Sequence, residues 1–275
     1  MTASAARSRT LDVTNPQLQE LEPALRAAMG AALVAMADSE LVIGHRHSEW
    51  TGFAPSAEED IAFSSIAQDE MGHAHLYYAL VAGVADEDAV DTLALDRPAA
   101  ALRHLPLLHA HNGDWFFTIA RHVYWDCWED VLLSACLSAN LPLLPGAAQR
   151  ILNEEVYHEE HAMEWLALLS SRDKQRRRLQ AALARVSSIG GSPARRLDGL
   201  RALGESGALA SSTDLADGFA ASLRRRLVKT GWNDADTDTA LAGLEGNPAR
   251  PNPPGLRQLH ADLTGMRRAH PGATW

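Results

Sequence analysis

The chain has 275 residues, enough to bury one large core, or one domain with an appendage. Its apolar share of 46% and charged share of 22% are ordinary for a globular protein. The formal net charge of -10 and pI near 5.6 argue against a broad nucleic-acid or anionic-membrane surface.

Ala and Leu dominate while Val, Ile, Thr and Tyr are sparse, which favours helix over strand. In chain order, residues 1–15 read as a loose tail and a helix is expected from about Leu21 to Trp50. The break TGFAPS follows, where Ser56 and Glu59 have capping-box spacing. A second helix is expected over about 57–83, ending at the acidic ADEDAVD. A long connection over 84–112, with Pro98 and Pro106, has room for one short helix. Asn112 to Asp114 signal a turn and cap for a third helix to about 140; LPLLPG breaks it before a fourth over about 146–171. A basic helix over about 173–188, a Gly/Ser-rich linker SSIGGSPAR, and two weaker helical patterns at 213–229 and 255–269 complete the chain, the last two separated by NPARPNPPG. Two short-looped hairpins joined by one long crossover predict an all-α, ferritin-like four-helix bundle over 16–188, with a helical C-terminal extension over 189–275 packed on it.

Two cysteines, Cys127 and Cys136, lie on opposite faces of one expected helix, so they cannot pair within it and a reduced compartment is expected. MTASAARSRT lacks the apolar core of a signal peptide, and the apolar run Ala28 to Ala37 is too short to cross a bilayer. The expectation is a cytoplasmic protein with no membrane or nucleic-acid partner.

Two Glu-x-x-His motifs carry the chemistry: Glu70 with His73 in the second helix, Glu155 with His158 in the fourth. At i, i+3 the two side chains share a helix face one turn apart and can reach one metal ion. Either motif alone reads more readily as a solvated Glu–His pair. Their partners change the reading. Glu40 precedes Glu70 by 30 residues, with the midpoint at Pro55; Asp126 precedes Glu155 by 29, with the midpoint at Asn140–Leu141. A hairpin folded at its midpoint returns each acid level with its motif. The two sets are offset by 86, 85 and 85 residues, the repeat expected of two similar hairpins.

Four carboxylates and two imidazoles form the ligand set of di-iron and di-manganese carboxylate bundles. Oxygen-rich ligation without thiolates suits iron or manganese over copper or structural zinc. Glu70 and Glu155 are expected to bridge two ions, His73 and His158 to cap one each, and Glu40 and Asp126 to be terminal. Two ferrous ions so held can reduce O2 jointly. Alternatives stay open: Glu154 for Glu155, Glu49 for Glu40, Glu129 for Asp126, and Asp126 as a buried acid paired with Arg121 or His122. His45, His47, His75 and His161 lack register partners and read as polar surface or as groups behind the ligands; Trp115, Phe116, Phe117, Tyr124, Trp125 and Trp128 read as core; the runs Lys174, Arg176–Arg178 and Arg224–Arg226 read as solvated helix faces.

The segments LVIGHRHSEWTGFAPSAEEDIAFSSIAQDEMGHAHLYY, NGDWFFTIARHVYWDCW, NEEVYHEEHAMEWL and MRRAHPGATW resemble the phenylacetyl-CoA monooxygenase (ring 1,2-epoxidase) family of aromatic catabolism. GHRHSEWTG and PGATW are most similar to that family's structural, C-type subunit, which typically lacks several metal ligands. Here Glu40, Glu70, His73, Asp126, Glu155 and His158 all stand where the ligands of the family's catalytic chain would. The resemblance implies a di-iron monooxygenase oxygenating an aromatic or CoA-linked acyl substrate, with Mn-Fe as a variant, or else a non-catalytic partner subunit. It also implies an external reductase and assembly as a homodimer or with related helical subunits. The chain has no Rossmann fingerprint or iron–sulfur cysteines of its own to supply electrons.

Overall fold

The computed structural model describes residues 14–83, 87–141, 143–246, 253–271 and 273. Of the expected features, tail residues 1–13, part of ADEDAVD, Pro142 in LPLLPG, most of NPARPNPPG and part of the terminal PGATW lie outside the described residues. Among the described residues the chain is all helical, with no strand. The ferritin-like core is formed by α2 (Pro23–Ser48), α3 (Ala57–Ala82), α5 (Trp115–Leu137) and α6 (Leu144–Ser170); α1 is the single turn Pro16–Gln19 and α4 (Glu87–Leu95) lies in the crossover. Helix α2 packs along α3 and α5 along α6, so both hairpins close at the breaks the sequence marks.

The caps account for the helix boundaries. Ser56 Oγ accepts from the Glu59 amide at 3.4 Å and Asp114 Oδ1 from the Phe117 amide at 3.0 Å, satisfying donors that each first turn leaves open. Helix α3 stops at Gly83, whose φ of 83° is left-handed. Helix α2 is long and apolar enough to span a membrane by length and composition, which the ten-residue run alone did not suggest; 83% of that window is buried inside the protein, as in a core helix.

The crossover is held by buried charges. Asp38 in α2 accepts from Arg97, from the Tyr78 hydroxyl, and from the Arg103 amide at 2.6 Å. Arg46 donates to the His109 carbonyl and Arg121 to the Ala110 carbonyl, both at 2.8 Å.

After α6 run α7 (Asp173–Gly190), α8 (Leu200–Glu205), α9 (Ser212–Lys229), α10 (Asp234–Leu241) and α11 (Pro253–Ala269). Helices α7 and α9 both pack on α5. Two expectations are corrected here. SSIGGSPAR is not an open linker: α7 runs through Gly190, and Ser192, Pro193 and Ala194 are buried. The reason is close packing, since a Cβ at Gly190 would lie 2.5 Å from the Tyr124 hydroxyl, which donates to the Gly191 carbonyl at 2.7 Å. The arginine runs are not simply solvated faces either: Arg226 is buried against Glu159 at 3.0 Å and Asp130 at 3.6 Å, and Arg176 lies over the Trp232 ring. Phe117, Tyr124, Trp125 and Trp128 are core as read, and both cysteines are free and buried.

Candidate metal centre

Mid-bundle, the four core helices point acids and imidazoles at one another. Glu40 from α2, Glu70 and His73 from α3, and Glu129 from α5 offer ligand atoms within 4.8 Å of one another; Asp126 and Glu129 from α5 and Glu155 from α6 form a second such group. His158 joins them through Nδ1, 3.0 Å from Glu155 Oε1 and 3.9 Å from Glu70 Oε1. His73 Nδ1 lies 3.8 Å from Glu70 Oε2 and 3.6 Å from Glu155 Oε1. All six residues picked out by register are therefore brought together and buried.

The structure adds a seventh. Glu129 stands in both groups, one turn beyond Asp126 on the same helix face, so its i, i+3 spacing was the signal for it. The other reserves fall outside. Glu49 pairs with Arg46, and Glu154 turns its carboxylate to His73 Nε2 at 2.8 Å. His45 is half-buried and His75 is exposed, as expected of surface histidines. His47 and His161 are buried, and His122 sits one turn before Asp126 with Nδ1 3.1 Å from its Oδ1, while Arg121 turns away to the crossover.

The outer nitrogens of the two ligand-type histidines have their own acceptors, and these are exchanged between the motifs. Asp69, just before Glu70, lies 3.3 Å from His158 Nε2; Glu154, just before Glu155, holds His73 Nε2. Each carboxylate turns the inner Nδ1 of the opposite motif's histidine toward the acids and fixes the tautomer that leaves it free to ligate.

The inward atoms lack partners. Glu40 Oε2, both oxygens of Glu70, Asp126 and Glu129, Glu155 Oε1, and Nδ1 of His73 and His158 are buried without a hydrogen bond. Unsatisfied buried polar atoms cost about 1–3 kcal/mol each, and uncompensated buried charges more. Three of the acids respond by holding their protons more tightly. Burial, then neighbouring Glu70, raises Glu40 well above the carboxylate range; burial, then Glu155, does the same to Glu129; burial pushes Glu70 up to about 8. Burial opposes a charge on His158, but Glu155 and Asp69 beside it push it up to about 12. A set of carboxylates and imidazole nitrogens that converge without bonding one another fits hard or borderline divalent cations, which would replace those protons.

The sequence family described as "Phenylacetic acid catabolic protein" matches residues 12–275. The chain is also 31% identical over 141 residues to the C-type subunit of the 1,2-phenylacetyl-CoA epoxidase of Escherichia coli (strain K12); that match spans 51% of this chain and 57% of the relative.

Proposed function

The chain belongs to the phenylacetic acid catabolic protein family, and on that premise we propose that it is an oxygen-activating di-iron subunit of the phenylacetyl-CoA epoxidase type, oxygenating an aromatic or CoA-linked acyl substrate. The observation that carries this reading is the convergence of Glu40, Glu70, His73, Asp126, Glu129, Glu155 and His158, buried and with unpartnered atoms facing inward. These residues would hold two metal ions, with Glu129 serving beside or in place of Asp126. Bound iron supplies the electrons and Lewis acidity for O2 reduction.

The remaining work falls to the chain. Asp69 and Glu154 fix the histidine tautomers, and the fully buried Phe63, with the partly buried Trp115 beside it, helps keep water from the His47 and His122 side. Reducing equivalents come from a separate reductase, since the two cysteines here are buried, free thiols pushed up to about 12. Related helical subunits are the expected assembly partners.

The likeness to the C-type epoxidase subunit supports a second reading, a structural partner whose metal site is not catalytic. Anaerobic loading of the purified protein with ferrous iron, followed by metal analysis and exposure to O2, separates the two. About two ions per chain with O2-dependent oxidation is expected; a chain that takes up no iron would sink the enzyme reading. Iron that binds but does not react with O2 favours the structural partner.

A further inference from the structure

His161, one turn beyond His158 on α6, uses both ring nitrogens away from the carboxylate group. Its Nε2 meets Glu59 Oε2 at 2.8 Å, and its Nδ1 lies 3.4 Å from His122 Nε2. His122 Nδ1 in turn stands 3.1 Å from Asp126 Oδ1. Four side chains from three helices thus run in series from the first turn of α3 to one end of the acidic cluster. Glu59 has the position from which a capping-box glutamate turns back to its own helix end, yet its carboxylate meets a histidine 102 residues away.

Aromatic rings pack against the middle of the series. Phe63 is fully buried, one turn beyond Glu59, with its ring 5.4 Å from that of His161 and 5.6 Å from that of His122. Trp115 covers Phe63 at 4.8 Å. His122 is fully buried, and the tautomers of the two rings are linked. The 3.1 Å contact between His122 Nδ1 and Asp126 is one of charge and proximity, not a hydrogen bond; with the Nδ1 proton facing Asp126, His122 accepts at Nε2 and His161 donates from Nδ1, and one proton shared with Glu59 closes the series.

Asp126 has the shortest side chain among the acids, and neither of its oxygens has a hydrogen bond. The basic group beside it is His122. We propose that Glu59, His161 and His122 are positioning residues that together fix the rotamer from which Asp126 meets the metal ion at its end of the site. This rests on the di-metal reading above, and it makes the N-terminus of α3 a determinant of a ligand on α5.

The test uses full-length wild type, three single variants and the Glu59→Leu/His161→Phe double variant. His161→Phe keeps a ring against Phe63 but removes both nitrogens. Glu59→Leu cuts the outer end of the series, and Glu59→Gln keeps an oxygen acceptor there. Each is titrated anaerobically with ferrous iron, with ion count and near-infrared circular dichroism as readouts and far-ultraviolet helicity measured alongside. His161→Phe and Glu59→Leu are expected to weaken one of the two ions by about 10–100-fold and to shift its ligand-field bands, with helicity retained. Glu59→Gln restores the wild-type pattern, and the double variant is no weaker than His161→Phe alone, because both changes cut one series. If His161→Phe does not fold, Glu59→Leu, altered in the outer part of the series, carries the test. Two ions bound with unchanged affinity and bands in Glu59→Leu overturn the positioning series while leaving the di-metal reading intact. A wild type that binds no iron removes that reading, and this proposal with it.

Discussion

Asp69 and Glu154 show how two side chains outside the ligand set can govern it. Each is more than a third exposed, so neither is a core residue, yet each fixes a buried imidazole on the opposite hairpin. Removing such an acceptor frees the ring to rotate and to change tautomer, a change that typically costs about 10–100-fold in metal affinity. Asp69→Ala is therefore expected to weaken the ion that His158 serves, and Glu154→Ala the ion that His73 serves. Isothermal titration with a divalent ion such as Co2+ checks both; equal weakening of both ions by either variant would contradict the exchanged pairing. The preceding-residue acids were visible in the sequence as neighbours of the motifs, but nothing in their spacing says that each reaches the other hairpin.

At the scale of elements, the crossover between α3 and α5 decides whether the two hairpins meet in register. Asp38 is fully buried and gathers Arg97, Tyr78 and the Arg103 amide, tying α3 and the middle of that segment to α2 just before Glu40. Asp38→Ala would leave Arg97 without its buried partner, a change of the kind that costs about 3–5 kcal/mol. Chemical denaturation of the metal-free protein is expected to show a loss of that order, and iron loading should recover part of it. A loss within about 0.5 kcal/mol, as for an ordinary surface change, would mean that the crossover is held by other contacts. Sequence periodicity located the connection and left room for the helix that α4 (Glu87–Leu95) fills. It could not locate the Asp38 clasp, because a single acid inside an apolar helix has no periodic partner to mark it.

For the molecule as a whole, the buried acids make stability depend on pH and on metal together. Glu70 is pushed up to about 8 from an ordinary 4.5, and Glu40 and Glu129 move in the same direction, each chiefly by burial. A carboxyl that holds its proton more tightly folded than unfolded contributes its full stability below the unfolded value and loses it as pH rises through the folded value. His158, raised from 6.5 to about 12, acts with the same sign at higher pH. The acids with lowered values, such as Asp69 and Asp96, work the other way below about pH 5, and the histidines that burial lowers, among them His47, His104, His109 and His161, work the other way up to about pH 7. Metal-free protein should therefore melt at progressively lower temperature as pH rises from about 7 to 9, where the histidines are already neutral, and divalent metal should flatten or reverse that trend. A melting temperature that stays level or rises across this window in chelator would show that the acids are not held as described.

The sequence by itself was enough for the helical class, the two hairpins, and the six positions Glu40, Glu70, His73, Asp126, Glu155 and His158, which the structure gathers mid-bundle. Helical periodicity and the midpoint rule are local, one-dimensional constraints, and a hairpin closed by a short loop converts them directly into height along a bundle axis. The tertiary structure alone decided the rest: the place of Glu129 in both groups, the exchange of Asp69 and Glu154 between hairpins, and the burial of His122, His161 and Arg226. Those depend on the rotation of each helix about its own axis and on which hairpin faces which, and these are set by packing between segments about a hundred residues apart.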